Sequence, residues 1–166
     1  MNLQKIQTVI ADQRSYLDVL LAKPTCERLE ERNVDLNSRL AQVVTGVRRS
    51  GKSTLCLNVL KKSRQPFAYV NFDDERLAEL CGADLDEVLT ACIKVYGEFD
   101  VLFLDEPQNV PEWSLFANRM LRNGLHVLVT GSNSNLLGGE LMTHMTGRYH
   151  EISLLPFSFA EYCSFR

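Results

Sequence analysis

Four side chains at two points of this chain have the makings of a polyphosphate site. Lys52 and Ser53 close the run Gly46-Val47-Arg48-Arg49-Ser50-Gly51-Lys52-Ser53, and Asp105-Glu106 closes an apolar run about fifty residues later. An ammonium, a hydroxyl and two carboxylates can hold phosphates and a divalent cation, and can take a proton from water. The first run fits G-x-x-x-x-G-K-[ST], the phosphate-cradling P-loop. In a chain of this composition the bare pattern arises by accident only about two times in a thousand.

Context separates that pattern from chance. Ala41-Gln42-Val43-Val44-Thr45 reads as a buried β-branched strand, and Thr54 to Lys62 reads as a helix, so the loop stands between strand and helix. Gly46 and Gly51 let the backbone curl until Val47, Arg48, Arg49 and Ser50 turn their N–H groups inward as an anion nest. The new helix aims its free N–H groups and positive dipole end at the phosphates. Lys52 adds a full charge for the β- and γ-phosphates, Ser53 suits a Mg²⁺ ligand, and Thr54 supports the α-phosphate. A glycine-containing turn with an exposed lysine is the ordinary alternative.

Val101-Leu102-Phe103-Leu104 reads as a buried parallel strand that delivers Asp105 and Glu106 to its end. Asp105 is placed to hold the Mg²⁺ shell, and Glu106 to polarise an attacking water. A solvated acidic turn looks similar, but its pairing with the upstream loop favours function, and the second carboxylate favours hydrolysis over phosphotransfer. After the following strand comes Thr130-Gly131-Ser132-Asn133-Ser134-Asn135. There Ser132 and Asn133 can hydrogen-bond the attacking water or the γ-phosphate, or simply cap a helix. Asp73 and Asp74 divide in the same way between capping and metal support.

The bulk properties are those of one ordinary globular domain: 166 residues, 45% hydrophobic, 23% charged. A net charge of −3 gives no general pull toward nucleic acid or anionic membrane, although Arg48, Arg49, Lys61, Lys62 and Arg64 lie close together. Five scattered cysteines without a C-x-x-C pair read as free thiols of a reducing cytoplasm. Charges at Lys5, Asp12, Arg14 and Asp18 interrupt any apolar leader or membrane span.

The elements follow from periodicity. Residues 3–22 read as an amphipathic helix for the domain or a partner, and 26–39 as a short helix and loop. Phe67 to Phe72 alternates as a strand, with short helices near 75–81 and 84–96. Pro107 stops the acidic strand, and Pro111 is expected to open a helix with Trp113, Phe116, Ala117 and Met120 inward. Leu125 to Thr130 is a strand ended by Gly131, with His126 a satisfied strand-edge histidine. Residues 149–154 form a last strand, then Pro156 and a short helix. Alternating strands and helices predict a doubly wound α/β sheet whose ligands sit beyond the strands' carboxyl ends.

The ordered set of segments resembles a prokaryotic AAA-type ATPase family. It comprises Thr45 to Thr54, Val70 to Arg76, Leu104 to Trp113, Thr130 to Ser134, Thr146-Gly147-Arg148-Tyr149 and Leu155 to Tyr162. The likeness covers most of residues 40–162. It implies a P-loop NTPase three-layer sandwich with strand order 5-1-4-3-2, and Ser132 and Asn133 in the sensor 1 role. Residues 40–166 would form the ATP-binding domain and 1–39 an N-terminal helical extension. Relatives continue into a C-terminal domain of poorly defined function, restriction-nuclease-like in some, so the chain reads as a piece of a longer protein or a shortened gene.

Arg148 lies in the interval where such ATPases commonly carry an arginine finger acting on a neighbouring subunit; an ion pair with Glu140 or Glu151 is the alternative. The expected function is Mg²⁺-dependent ATP binding and hydrolysis that switches an attached or separate effector. A nucleotide-gated module with little hydrolysis, or a P-loop phosphotransferase, are the competing expectations. No guanine-recognition motif is present, so ATP is the default nucleotide.

Overall fold

A computed structural model of the protein describes residues 1–132, 136 and 144–165. The chain runs through α1 (Leu3–Ala22), a 3₁₀ turn (Leu29–Asn33), β1 (Ala41–Gly46), α2 (Lys52–Ser63) and β2 (Phe67–Asn71). Two 3₁₀ turns (Glu75–Leu77, Gly82–Asp84) lead to α3 (Leu85–Tyr96), then β3 (Val101–Asp105) and a 3₁₀ turn (Pro107–Asn109). It closes with α4 (Trp113–Arg122), β4 (His126–Ser132), β5 (Tyr149–Leu154) and α5 (Phe159–Phe165).

The five strands are parallel in the order β2-β3-β4-β1-β5, the arrangement the resemblance implied. Period-two alternation builds a core on each face. Val43, Val70, Leu104 and Val129 point to the side covered by α1, α3 and α4. Val44, Tyr69, Phe103 and Leu128 point to the side covered by α2. Parallel pairing requires crossovers, and α2, α3 and α4 supply those that lead from β1 through β2 and β3 to β4.

Helix α1 is an integral part of this packing. Ile6, Val9 and Ile10 are buried with α3 and the sheet, and Leu17 reaches the other core. Each such side chain contributes about 1.5–3 kcal/mol of burial. Midway, Gln13 does what a sixth strand would do. Its amide Nε2 donates to the Asn71 carbonyl at 2.9 Å, and its Oε1 accepts from the Asn71 N–H at 3.0 Å. At Asn71 the open edge of β2 is thereby paired by a side chain.

Two boundaries differ from the sequence expectation. The helix expected to open at Pro111 begins at Trp113, because Glu112 takes a left-handed conformation (φ 63°) that breaks continuity with the proline. Strand β4 does not end at Gly131 but continues to Ser132, which pairs with Gly46 of β1. Gly131 is there for closeness: an added Cβ would lie 2.0 Å from Leu136 Cδ1 and 2.7 Å from Gln108 Oε1. His126 opens β4 with Nδ1 3.0 Å from the Ser38 carbonyl, a satisfied histidine as expected.

Candidate nucleotide site

Register brings the polar strand ends to one edge. Gly46 pairs with Ser132 on one side and Leu154 on the other, while Asp105 pairs with Thr130 and Asn71. Beyond that edge lies a cavity of about 970 Å³ lined by Gly46 to Arg49, Gly51 to Thr54, Asn71, Asp73, Asp105, Glu106, Gln108, Asn109 and Ser132.

The loop's shape follows from crowding and from left-handed residues. A Cβ on Gly46 would sit 2.4 Å from the Leu154 carbonyl oxygen and 2.9 Å from Ser50 Oγ, so only glycine fits beside β5. Gly51 (φ 92°) turns the chain into α2, and Arg49 (φ 67°) is also left-handed, a strain of about 1–3 kcal/mol for a non-glycine residue. The first ladder bond of α2 runs from the Leu55 N–H to the Gly51 carbonyl at 2.9 Å. The N–H groups of Lys52, Ser53 and Thr54 therefore precede the ladder at the positive dipole end.

Inside the cavity the side chains satisfy one another. Lys52 Nζ donates to the carbonyls of Gly46 (3.4 Å) and Val47 (3.3 Å) and pairs with Glu106 Oε1 at 3.3 Å. Gln108 Nε2 donates to the other Glu106 oxygen at 2.6 Å. Glu106 itself is left-handed (φ 54°), a second strained residue in the site.

Asp105 gathers three hydroxyls. Ser53 Oγ donates to Oδ1 at 2.8 Å, Tyr69 to Oδ2 at 3.0 Å, and Thr130 Oγ1 to Oδ1. Burial pushes the Asp105 carboxyl above its ordinary pKa, the donations from Thr130, Ser53 and Tyr69 oppose that, and the neighbouring Glu106 adds to it. Burial likewise raises the Tyr69 phenol, so it stays a neutral donor. Ser53 and Asp105 form an all-oxygen pair at hydrogen-bond separation, the donor type that suits Mg²⁺. Among the described residues no cluster of three or more His, Cys, Asp or Glu could form a protein-only metal cage. A cation here would take its remaining ligands from phosphate and water.

The remaining candidates separate clearly. Arg48 and Arg49 are exposed on the cavity wall, and Ser132 stands at its β4 side. Asn133 lies outside the described residues. Asp73 is exposed on the cavity, whereas Asp74 caps the turn that follows. Asp74 accepts from the Arg76 N–H at 3.1 Å, from the Arg76 guanidinium at 2.9 and 3.0 Å, and from Gln13 at 3.1 Å.

Arg148 precedes β5, at the opposite edge of the sheet from its own phosphate loop. A six-residue strand at about 3.3 Å per residue puts roughly 20 Å between the two edges, which excludes contact with this chain's own cavity. There it lines a small depression with Arg39, Asn118, Leu121 and Arg122. Of its two expected ion-pair partners, Glu151 instead accepts from Thr45 Oγ1 at 2.8 Å, and Glu140 lies outside the described residues.

Four contributors escape motif reading: Gln108 on Glu106, Tyr69 and Thr130 on Asp105, and Arg28 on the loop itself. Gln108 and Thr130 lie inside two of the segments that carry the family resemblance, so a signal was present for them although no role was read from it. Tyr69 carries a weaker one, since it faces β3 at the position beside Phe103. Arg28 carries none, standing 18 residues before the loop it touches.

A parallel sheet of this order, with a glycine-bounded loop between β1 and α2 and an acidic pair ending β3, defines a P-loop nucleotide-binding domain of the ATPase type. The chain belongs to the AAA domain family, whose sequence profile matches residues 38–163. It is 35% identical over 126 residues to an uncharacterized protein of Methanocaldococcus jannaschii, a match covering 75% of this chain and 28% of that protein. It is 33% identical over 129 residues to an uncharacterized protein of Haemophilus influenzae, covering 73% and 32%. The matched part is thus less than a third of either relative. A crystal structure of a DNA replication initiation factor shares the fold at TM-score 0.52 and 18% identity, covering 81% of this chain and 45% of that one. No helix among the described residues is long and apolar enough to cross a membrane.

Proposed function

We propose that this domain binds Mg·ATP at the carboxyl edge of the sheet, hydrolyses it slowly, and uses nucleotide state to switch an attached or separate effector. The carrying observation is the convergence of Lys52, Ser53, Asp105 and Glu106 on one cavity, with Ser53 and Asp105 2.8 Å apart and Lys52 and Glu106 3.3 Å apart. The backbone from Gly46 to Thr54 holds the phosphates, and Lys52 turns from Glu106 to the β- and γ-oxygens. Ser53 and Asp105 hold Mg²⁺, which when bound neutralises charge on those oxygens. A carboxylate oxygen of Glu106 takes the proton of the attacking water, and Ser132, with Asn133, orients that water or the γ-phosphate.

In this proposal residues 40–166 are the ATP-binding unit and 1–39 a helical extension packed upon it, in the cytoplasm. Arg148, remote from its own cavity, serves a neighbouring copy's γ-phosphate. A nucleotide-gated module with little turnover is favoured by one observation: both Glu106 oxygens are occupied, by Lys52 and Gln108.

The test is calorimetry with Mg·ATP. Lys52→Ala loses a charge-assisted contact of about 1.5–3 kcal/mol and binds roughly ten- to a hundredfold more weakly. Equal affinity for both proteins refutes the assignment, and phosphate release separates a hydrolase from a gated module.

A further inference from the structure

Arg28 is a buried cation that none of the proposed chemistry uses. Its side chain is 4% exposed and its three nitrogens serve three separate segments. Nη1 donates to the Ser50 carbonyl in the phosphate loop at 3.2 Å, Nη2 to the Leu155 carbonyl after β5 at 2.8 Å, and Nε to Glu161 Oε1 in α5 at 2.7 Å. The guanidinium also lies 4.6 Å from the centroid of the Phe157 ring. A planar fork with fixed donors can meet these acceptors together, and a lysine ammonium cannot.

The residue is itself held from α2, the helix that the phosphate loop opens. The Arg28 N–H donates to Glu31 Oε1 at 3.1 Å. Asn58 Nδ2 donates to the same oxygen at 3.1 Å, and Lys62 Nζ to Glu31 Oε2 at 2.8 Å. A closed circuit thus runs from the helix to Glu31, to Arg28, and back to the loop.

The Ser50 contact fixes more than a carbonyl. The peptide joining Ser50 to Gly51 is planar and trans, so the Gly51 N–H points opposite to the Ser50 carbonyl. Ser50 is buried with its carbonyl on Arg28 Nη1, and Gly51 lines the cavity. Holding the carbonyl on Arg28 therefore fixes the orientation of the Gly51 N–H, one of the groups of the proposed phosphate nest.

We propose that Arg28 is a positioning residue for the phosphate loop, and that through it the segment from Leu155 to Glu161 and the nucleotide cavity are energetically coupled. This rests on the reading that the cavity takes Mg·ATP. Coupling is reciprocal: what the segment does to nucleotide affinity, the nucleotide does to the segment. A structure attached after β5 then has a direct line to the loop.

The experiment combines Mg·ATP affinity with amide exchange across residues 155–165. The expected result is that Arg28→Lys weakens Mg·ATP about tenfold, raising KM while kcat holds, because Arg28 touches no reacting atom. Glu161→Gln, remote from the cavity, weakens it about threefold, and the double variant is no worse than Arg28→Lys alone. Saturating Mg·ATP slows exchange at 155–165 in the wild type and leaves Arg28→Lys unchanged. If Arg28→Lys fails to fold, Glu161→Gln and wild-type exchange still decide the matter. Wild-type binding with unaltered exchange, and unaltered affinity in Glu161→Gln, overturns the coupling alone. A folded wild type that binds no Mg·ATP overturns the nucleotide reading, and the coupling with it.

Discussion

Replacing Glu106 by glutamine should move binding and turnover in opposite directions. Lys52 must leave Glu106 before it can meet a phosphate, so the 3.3 Å ion pair opposes nucleotide binding. At an effective dielectric constant of about 20 the gross attraction is about 5 kcal/mol. Glu106 is 23% exposed, and solvent with lost conformational freedom reduces the net value to about 1 kcal/mol. Glutamine keeps the shape and the Gln108 contact but releases the lysine, and it no longer repels the γ-phosphate. Mg·ATP should therefore bind about fivefold more tightly to Glu106→Gln. Hydrolysis should fall by about 10²–10⁴-fold, since the proposed proton acceptor is gone. Calorimetry gives the first number and phosphate release the second. Unchanged or weaker affinity refutes the claim that the ion pair must be exchanged, and wild-type turnover moves the base elsewhere.

Gln108→Ala unfastens one Glu106 oxygen from a 2.6 Å charge-assisted bond, so hydrolysis should fall about tenfold with ATP affinity within about twofold, read by the same two assays. Asp74 is held down to about pH 2, mainly by the Arg76 guanidinium, so its stabilising effect is full above the ordinary carboxylate pKa and lost as pH falls toward 2. With Arg76 41% exposed this amounts to about 1 kcal/mol, and urea midpoints of Asp74→Asn should fall less than wild type between about pH 5 and 2. Arg148→Ala should leave ATP binding intact and depress hydrolysis only where copies associate. Mixing it with Lys52→Ala should restore some activity, and mixed oligomers with none would exclude a finger acting in trans.

The cavity was legible in the sequence because its chemistry is carried by neighbours in the chain. Gly46 to Thr54 is one uninterrupted run, and Asp105 ends its own strand, so pattern and position coincide. The sheet was legible because both faces are buried, making Val101 to Leu104 continuously apolar. Boundaries depended on longer-range facts. Gly131 resembles a breaker in a one-dimensional reading, yet it is required by Leu136 and Gln108 pressing on the strand from outside. Gln13 resembles an ordinary polar residue of α1, and only the edge of β2, 58 residues away, shows why its amide is buried. Arg28 stands in charged company at Glu27, Glu30, Glu31 and Arg32, where composition suggests a solvated turn.

The same internal satisfaction that hides these partners also determines what ligand binding has to do. Lys52 is not waiting in open solvent, since two loop carbonyls and Glu106 hold it. Ser53 is engaged with Asp105, and Asp105 with two further hydroxyls. Binding Mg·ATP in the proposed manner is therefore an exchange of partners, with protein contacts given up for phosphate and cation contacts of similar geometry. The affinity is the difference between two large terms, so small changes in how the loop is held have effects out of proportion to their size. Tyr69 and Thr130 do not take part in that exchange, because neither lines the cavity. Their hydroxyls hold both Asp105 oxygens in place and oppose the upward push of burial on its pKa, and in the proposed exchange they stay on the carboxylate when Ser53 turns to the cation.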